Sequence, residues 1–362
     1  MMKIHENIRK KRKEKGMTQE ELASYLGIST PAVNKWEKGL SFPDITFLPC
    51  LAALFNMSVD DLLGYEPQLT KEEIRAVYRK MSARFSKEPF EAVMEDLQDY
   101  MKKYAACFPF LYQMAALLLN YYTLSKNPQE TMAYIISLAD KVEKESADVY
   151  LARDAREMKL ICYLQMGDAQ EVLEMTDETI RPLSQEYFCI AAAWEMKGNT
   201  GKAKEIMQVC AYQHLSLLLA YTTGLIRLEK AYSRQAEEMI ERNDKLIELF
   251  SMQKLQFNET EKFYLTAAVY YCVCGKKEEA LHMLDKYVAC AIRQEYPLRL
   301  HGDTYFDCID RWIEELTLGE DAPRTEQMIK ESLNHELSNP AFDCLKGEKK
   351  FENLKEKLKT HL

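Results

Sequence analysis

The chain is short of the two residues that punctuate tight turns, with 12 glycines and 11 prolines in 362 residues. That scarcity disfavours all-β folds, whose hairpins consume both. Metal-ligating pairs are missing as well. The ten cysteines are scattered without a C-x-x-C pair, and Cys272 and Cys274 stand one residue apart with no histidine partner nearby. No metal and no cofactor are expected, and reduced thiols fit a cytoplasmic protein. Long apolar runs are lacking too. FYLTAAVYYCVC, residues 263–274, falls well short of the roughly 20 residues needed to span a bilayer. The first residues, MMKIHENIRKKRKEKG, carry charge where a signal peptide needs an apolar core. No membrane association is expected.

Catalytic signatures are equally sparse. Neither G-x-G-x-x-G nor G-x-S-x-G occurs. GNTGKAK, residues 198–204, resembles a phosphate loop only superficially: its glycines are too close, and Ala203 stands where Ser or Thr must hold magnesium. HELSN, residues 335–339, has Asn339 where a zinc protease needs a second histidine. The six histidines are dispersed, and the abundant carboxylates read as i, i+4 charge pairs on helices. An enzyme is not expected.

What is present is an asymmetry of charge. The net charge of −9 hides nine Lys/Arg against five Asp/Glu in residues 3–38, and 39 against 49 in residues 65–362. A small basic head precedes a large acidic body. In the head, Thr18 and Glu21 form a capping box that should start a helix at Gln19, with Leu22, Ala23 and Leu26 on its inner face. Gly27 ends that helix tightly. Ser29 can cap a second one, where Pro31 costs little because its missing N–H falls in the unpaired first turn. Ile28, Ala32, Val33 and Trp36 share its buried face, leaving Thr30, Pro31, Asn34, Lys35 and Lys38 outside. Arg12 continues the apolar row of Ile4 and Ile8 and needs a partner; Glu37 is the obvious one. Phe47 to Phe55 and Val59 to Leu63 add two more short helices, for five in about 65 residues.

This pattern resembles the Xre/lambda-repressor family of helix-turn-helix DNA-binding domains. Arg12, Gly16, Thr18-Gln19-x-x-Leu22-Ala23, Gly27-Ile28-Ser29, Trp36-Glu37-x-Gly39, Pro43 and Leu51-Ala52…Val59-x-x-Leu62-Leu63 carry the resemblance over residues 3–64. It implies double-stranded DNA as partner, with the second helix of the pair in the major groove. Thr30, Pro31, Asn34 and Lys35 would face base edges, Thr18 and Gln19 phosphates, and Ser29 and Lys38 would complete the DNA-facing set. Arg12 and Glu37 would form the family's internal salt bridge. Pro31 departs from the polar residue often found there and offers methyl contact instead of a donor.

GYEPQLT, residues 64–70, reads as a linker closed by a fresh capping box of Thr70 and Glu73. Helix-period segments then run to the end, and two of them align 77 residues apart. Tyr187, Ile190, Ala191, Trp194, Gly198, Ala203 and Met207 correspond to Tyr264, Ala267, Ala268, Tyr271, Gly275, Ala280 and Leu284. Aromatic and small residues let a second helix pack close, and the glycine turns the chain. This resembles the tetratricopeptide repeat. Ala220, Gly224 and Ala236 fit an intermediate repeat loosely, Tyr163, Gly167 and Val172 fit upstream, and Met114, Leu118 and Ala133 fit weakly.

The expected architecture is all-α: a five-helix helix-turn-helix domain over 1–64, a linker and connecting helices over 65–105, and an α-solenoid of tetratricopeptide-like helix pairs over 106–362. Such arrays bind peptides or protein segments on a concave face, where register places Glu195, Lys262 and Gln165; no effector-binding residue is singled out. Two functions fit. One is a DNA-binding transcriptional regulator whose body dimerises the chain and senses a peptide or protein effector. This architecture resembles the peptide-sensing regulators of Gram-positive bacteria. The other is a repeat scaffold that inhibits or recruits a partner protein, with the head localising it.

Overall fold

The computed structural model describes residues 3–65, 68–177 and 179–362, and the regular structure among them is all helical, with one isolated bridge between Arg299 and Asp321. Glu66 and Pro67 of the expected linker lie outside the described residues. Contacts divide the chain into two compact units: Met1–Glu73 with Gln98–Leu111, and Ile74–Leu97 with Tyr112–Leu362.

Five short helices build the head: α1 (Ile4–Glu14), α2 (Gln19–Leu26), α3 (Thr30–Glu37), α4 (Leu48–Phe55) and α5 (Val59–Leu63). Their apolar stripes converge on one core of Ile4, Ile8, Leu22, Val33, Trp36, Leu51, Phe55 and Leu62. Both ends of α2 are closed as the sequence implies. Thr18 Oγ1 accepts from the Glu21 N–H while Glu21 accepts from the Thr18 N–H, and Gly27 takes the left-handed conformation at φ 68°. Ser58 and Asp61 repeat the capping box at α5. Ser29 departs from expectation: it occupies the N-cap position of α3 with extended backbone, but its side chain makes no capping hydrogen bond. Within the same unit, Gln68 Nε2 donates to the Ala106 carbonyl at 3.1 Å and the Leu69 N–H to Cys107 Sγ at 3.4 Å.

The following helices are α6 (Lys71–Phe85), α7 (Phe90–Lys103), α8 (Phe108–Tyr121), α9 (Pro128–Glu145), α10 (Val149–Met166) and α11 (Ala169–Met175). Thr70 and Glu73 make the capping box at the start of α6. Farther along α6, Arg75 donates to the carbonyls of Glu314, Leu316 and Thr317, and Tyr78 to that of Pro323. Then come α12 (Glu186–Met196), α13 (Thr200–Leu228), α14 (Arg234–Leu249), α15 (Met252–Leu255), α16 (Phe257–Val273) and α17 (Lys277–Ile292). The chain ends with α18 (Asp310–Glu315), α19 (Glu326–Glu336) and α20 (Lys349–His361).

Neighbouring helices pair as α9 with α10, α12 with α13, and α16 with α17, while α13 also packs on α14 and α16. Gly198 and Gly275 turn the chain inside two of these pairs at φ 77° and 67°, a conformation that costs an L side chain roughly 1–2 kcal/mol. The intermediate repeat differs from expectation. Gly224 is no turn; it lies inside α13, which runs 29 residues without a break. One glycine weakens a helix by only about 1 kcal/mol, and buried Leu219, Thr223 and Ile226 hold the segment in place. The chain reverses after Glu229 instead, with Tyr232 left-handed at φ 62°, and Ala236 packs as the small residue of α14. The helix α13 also corrects the reading of apolar runs. It is long and apolar enough to cross a bilayer by length and composition, a signal hidden because Lys202, Lys204 and Glu205 crowd its first turns.

Candidate nucleic-acid interface

The polar face of the head depends on a buried ion pair beneath it. The Arg12 guanidinium lies at the end of the apolar row of α1 and donates from Nε to Glu37 Oε1 at 2.5 Å and from Nη2 to Glu37 Oε2 at 2.9 Å. Its Nη1 donates to the Met17 carbonyl at 2.6 Å. Both residues are buried. Burial would push the Glu37 carboxyl up, but the hydrogen bonds from Arg12 and Gln19 together with the Arg12 charge outweigh it and hold the group below its ordinary range. The same bond raises Arg12. This bidentate geometry fixes the end of α3 against the end of α1.

Gln19 links that pair to the outer face. Its Nε2 donates to Glu37 Oε2 at 2.8 Å, and its Oε1 accepts from Asn34 Nδ2 at 3.1 Å. The chain Arg12–Glu37–Gln19–Asn34 therefore orients an amide on the surface of α3 from a charge buried below it. Sequence reading gave Gln19 an outward role and missed this one. A glutamine in the first turn of α2 carries no local signal for a partner in α3, since the juxtaposition comes from the angle between the two helices.

The remaining residues implied by resemblance sit on the same side of the α2–α3 pair or at its ends. Pro31 and Lys35 are exposed on α3, Thr30 and Asn34 half-buried, and Lys38 exposed at its C-cap. Thr18 and Ser29 are exposed at the N-caps of α2 and α3. The Thr18 hydroxyl is already accepting from Glu21, yet it keeps its own hydrogen to donate. Arg9, Lys10 and Lys13 are exposed on α1 and extend the basic character. Beyond α3, Leu40, Phe42 and Ile45 are largely exposed, an apolar group that helical periodicity could not show because Leu40 and Phe42 lie outside any helix and Ile45 only opens a single 3-10 turn, Ile45–Phe47.

In the body, Glu195 and Gln165 are exposed, and Lys262 is paired with Glu259 at 2.9 Å. Glu195 joins Lys204, Met207, Gln208 and Tyr305 around an open groove of about 460 Å³.

Residues 8–62 match the family model described as helix-turn-helix. The chain is 36% identical over 72 residues to the HTH-type transcriptional activator BcrR of Enterococcus faecalis, covering 20% of this chain and 35% of that protein. It is 39% identical over 61 residues to the uncharacterized HTH-type transcriptional regulator YqaE of Bacillus subtilis, covering 17% and 53%. The matched part thus spans about a third to a half of these relatives. Among solved structures, the apo form of the competence regulator ComR from Streptococcus vestibularis aligns over 87% of this chain and 97% of its own, at 15% identity and a TM-score of 0.23. The head is a helix-turn-helix domain of the Xre-like kind.

Proposed function

We propose that this chain is a sequence-specific DNA-binding transcriptional regulator of the cytoplasm, acting as a homodimer whose helical body responds to a peptide or protein effector. The observation that carries the reading is the outer face of α3: Thr30, Asn34 and Lys35 project from a helix whose seating is fixed by the Arg12–Glu37 pair. A rigid polar helix face of this width fits the major groove. Lys35 offers a donor to guanine O6 and N7, Asn34 an amide to adenine, and Pro31 an apolar contact to a thymine methyl. Thr18, Ser29, Lys38 and the basic side of α1 would meet phosphates, which position the helix without reading sequence.

With few phosphate contacts, one head should bind weakly at physiological salt. Two heads joined through the body raise affinity by effective concentration alone.

The test is selection of a binding site from random duplexes, followed by titration of variants at fixed salt. Asn34→Ala and Lys35→Ala should each lose about 1–3 kcal/mol on the selected site and less on unrelated DNA. Gln19→Ala should lose specificity as well as affinity, because it releases Asn34. Unchanged binding in both α3 variants would reject the reading. Should an effector bind the body without shifting DNA affinity, the scaffold reading replaces the sensor.

A further inference from the structure

The helix α12, EYFCIAAAWEM, is apolar nearly all round, and such helices are normally buried. Among its eleven residues only Ala191 is buried and Ala192 half-buried. The matched pair 77 residues later shows what is missing. Tyr187 is 56% exposed where Tyr264 is 5%, and Met207 is 39% exposed where Leu284 is fully buried. Tyr264 is enclosed because α13 and α14 pack on α16 and share one core with it. Among the described residues, no preceding helix packs broadly on α12.

In a continuous array the preceding pair, α10 and α11, would supply that cover. Its own distal side is equally bare: Ile161 and Leu164 on α10 and Leu173 on α11 are about half exposed, and α11 has no buried residue. The two bare faces are joined by residues 176–185, whose described members lie outside any helix and are mostly exposed. They do not cover one another within one chain.

We propose that a second copy of this chain covers them by reciprocal exchange: α10–α11 of each copy docks on α12–α13 of the other, as α13 and α14 pack on the α16–α17 pair within one chain. Every chain carries one face of each kind, so two copies close the arrangement with two identical contacts about a two-fold axis, leaving no free face to propagate. A contiguous apolar surface of this extent is unusual on a chain that works alone. The inference names the interface of the homodimer in the proposed function and does not depend on DNA binding.

Two double variants of the full chain test it by sedimentation: Tyr187→Glu with Phe188→Glu, and Leu164→Glu with Leu173→Glu. All four side chains are more than half exposed, so helical content by circular dichroism should match wild type. Each variant alone should dissociate at least about 30-fold more readily than wild type, as loss of a central apolar contact implies. Mixed one to one, the two should regain a dimer of intermediate affinity, because one of the two contacts is then intact. If both variants dimerise like wild type, this interface is overturned while the homodimer stands. A wild type that stays monomeric at all concentrations overturns the homodimer itself. Monomeric variants that mixing fails to rescue overturn the exchange, as does wild type sedimenting with phosphatidylglycerol vesicles while the α12 variant does not.

Discussion

The pairs α12–α13 and α16–α17 share a sequence pattern but not an environment. Residue by residue they carry an aromatic, two small or apolar residues, an aromatic, a turning glycine and a small residue, 77 positions apart. In the second pair Tyr264, Ala267, Ala268, Ala280 and Leu284 are all buried; in the first only Ala191 and Ala203 are. The shared burial marks where two helices of a pair touch each other. The difference marks where a neighbouring pair must arrive. A repeat motif therefore encodes its internal contact fully and its external contact only as an opportunity.

The largest effect should come from breaking the contrast at its sharpest position. Tyr264→Ala opens a cavity between α14 and α16 and should cost about 3–5 kcal/mol in chemical denaturation. Tyr187→Ala should stay within about 1 kcal/mol at protein concentrations low enough to keep the chain monomeric. Equal losses would mean that α12 is covered in solution even in the single chain.

The head extends the comparison to charge. Arg12 and Glu37 are enclosed by their own domain, so Arg12→Ala leaves a buried carboxylate unpaired and should cost about 3 kcal/mol or more. Hydrogen exchange confined to residues 4–63 of the full chain reads that loss. A simultaneous Glu37→Leu should recover part of it, and no recovery would show that the two do not act as a pair. Because hydrogen bonds hold Glu37 below its ordinary range, its contribution is present above the unfolded carboxyl pKa. It fades as pH falls through the folded one, so acid should loosen the head.

Burial also separates the pairs in their response to pH. Glu261 on α16 is pushed up to about 7 by burial and by the charge of Glu336, while the position 77 residues earlier is exposed Ser184. The folded body keeps this proton at a pH where the unfolded chain, near 4.5, has released it. Stability therefore falls as pH rises from about 4.5 through 7. Glu261→Gln should remove about 1–2 kcal/mol of the difference between pH 5 and pH 8. Denaturation curves whose pH dependence is the same in both proteins would refute this.

The smallest effect should be the same in both pairs. Gly198→Ala and Gly275→Ala each force a side chain into a left-handed turn with open space around it, at about 1 kcal/mol apiece. Matched losses in thermal denaturation would confirm that the turn belongs to the pair alone.

Local chemistry made much of this legible in advance. The capping boxes at Thr18 and Thr70, the Gly27 turn, and the apolar stripes of the five head helices depend on residues within a few positions of one another. So does the outward face of α3. The sequence could also place Arg12 opposite Glu37, because an arginine on an apolar row must find a carboxylate. It could not show Gln19 joining Glu37 to Asn34, because that bridge exists only at one crossing angle of α2 and α3. It misjudged Gly224, whose helical fate depended on the packing of Leu219 and Ile226 rather than on its own flexibility.

By itself, then, the sequence determined an all-helical chain, the head with its polar outer side, and pairs of helices turned by glycine, since each follows from contacts within one element or one hairpin. Only the tertiary structure decided that α13 runs unbroken, that α13 and α14 cover α16, and that α12 stands bare. Those outcomes rest on long-range packing, where two similar motifs acquire different neighbours and burial, rather than pattern, sets the energy of each residue.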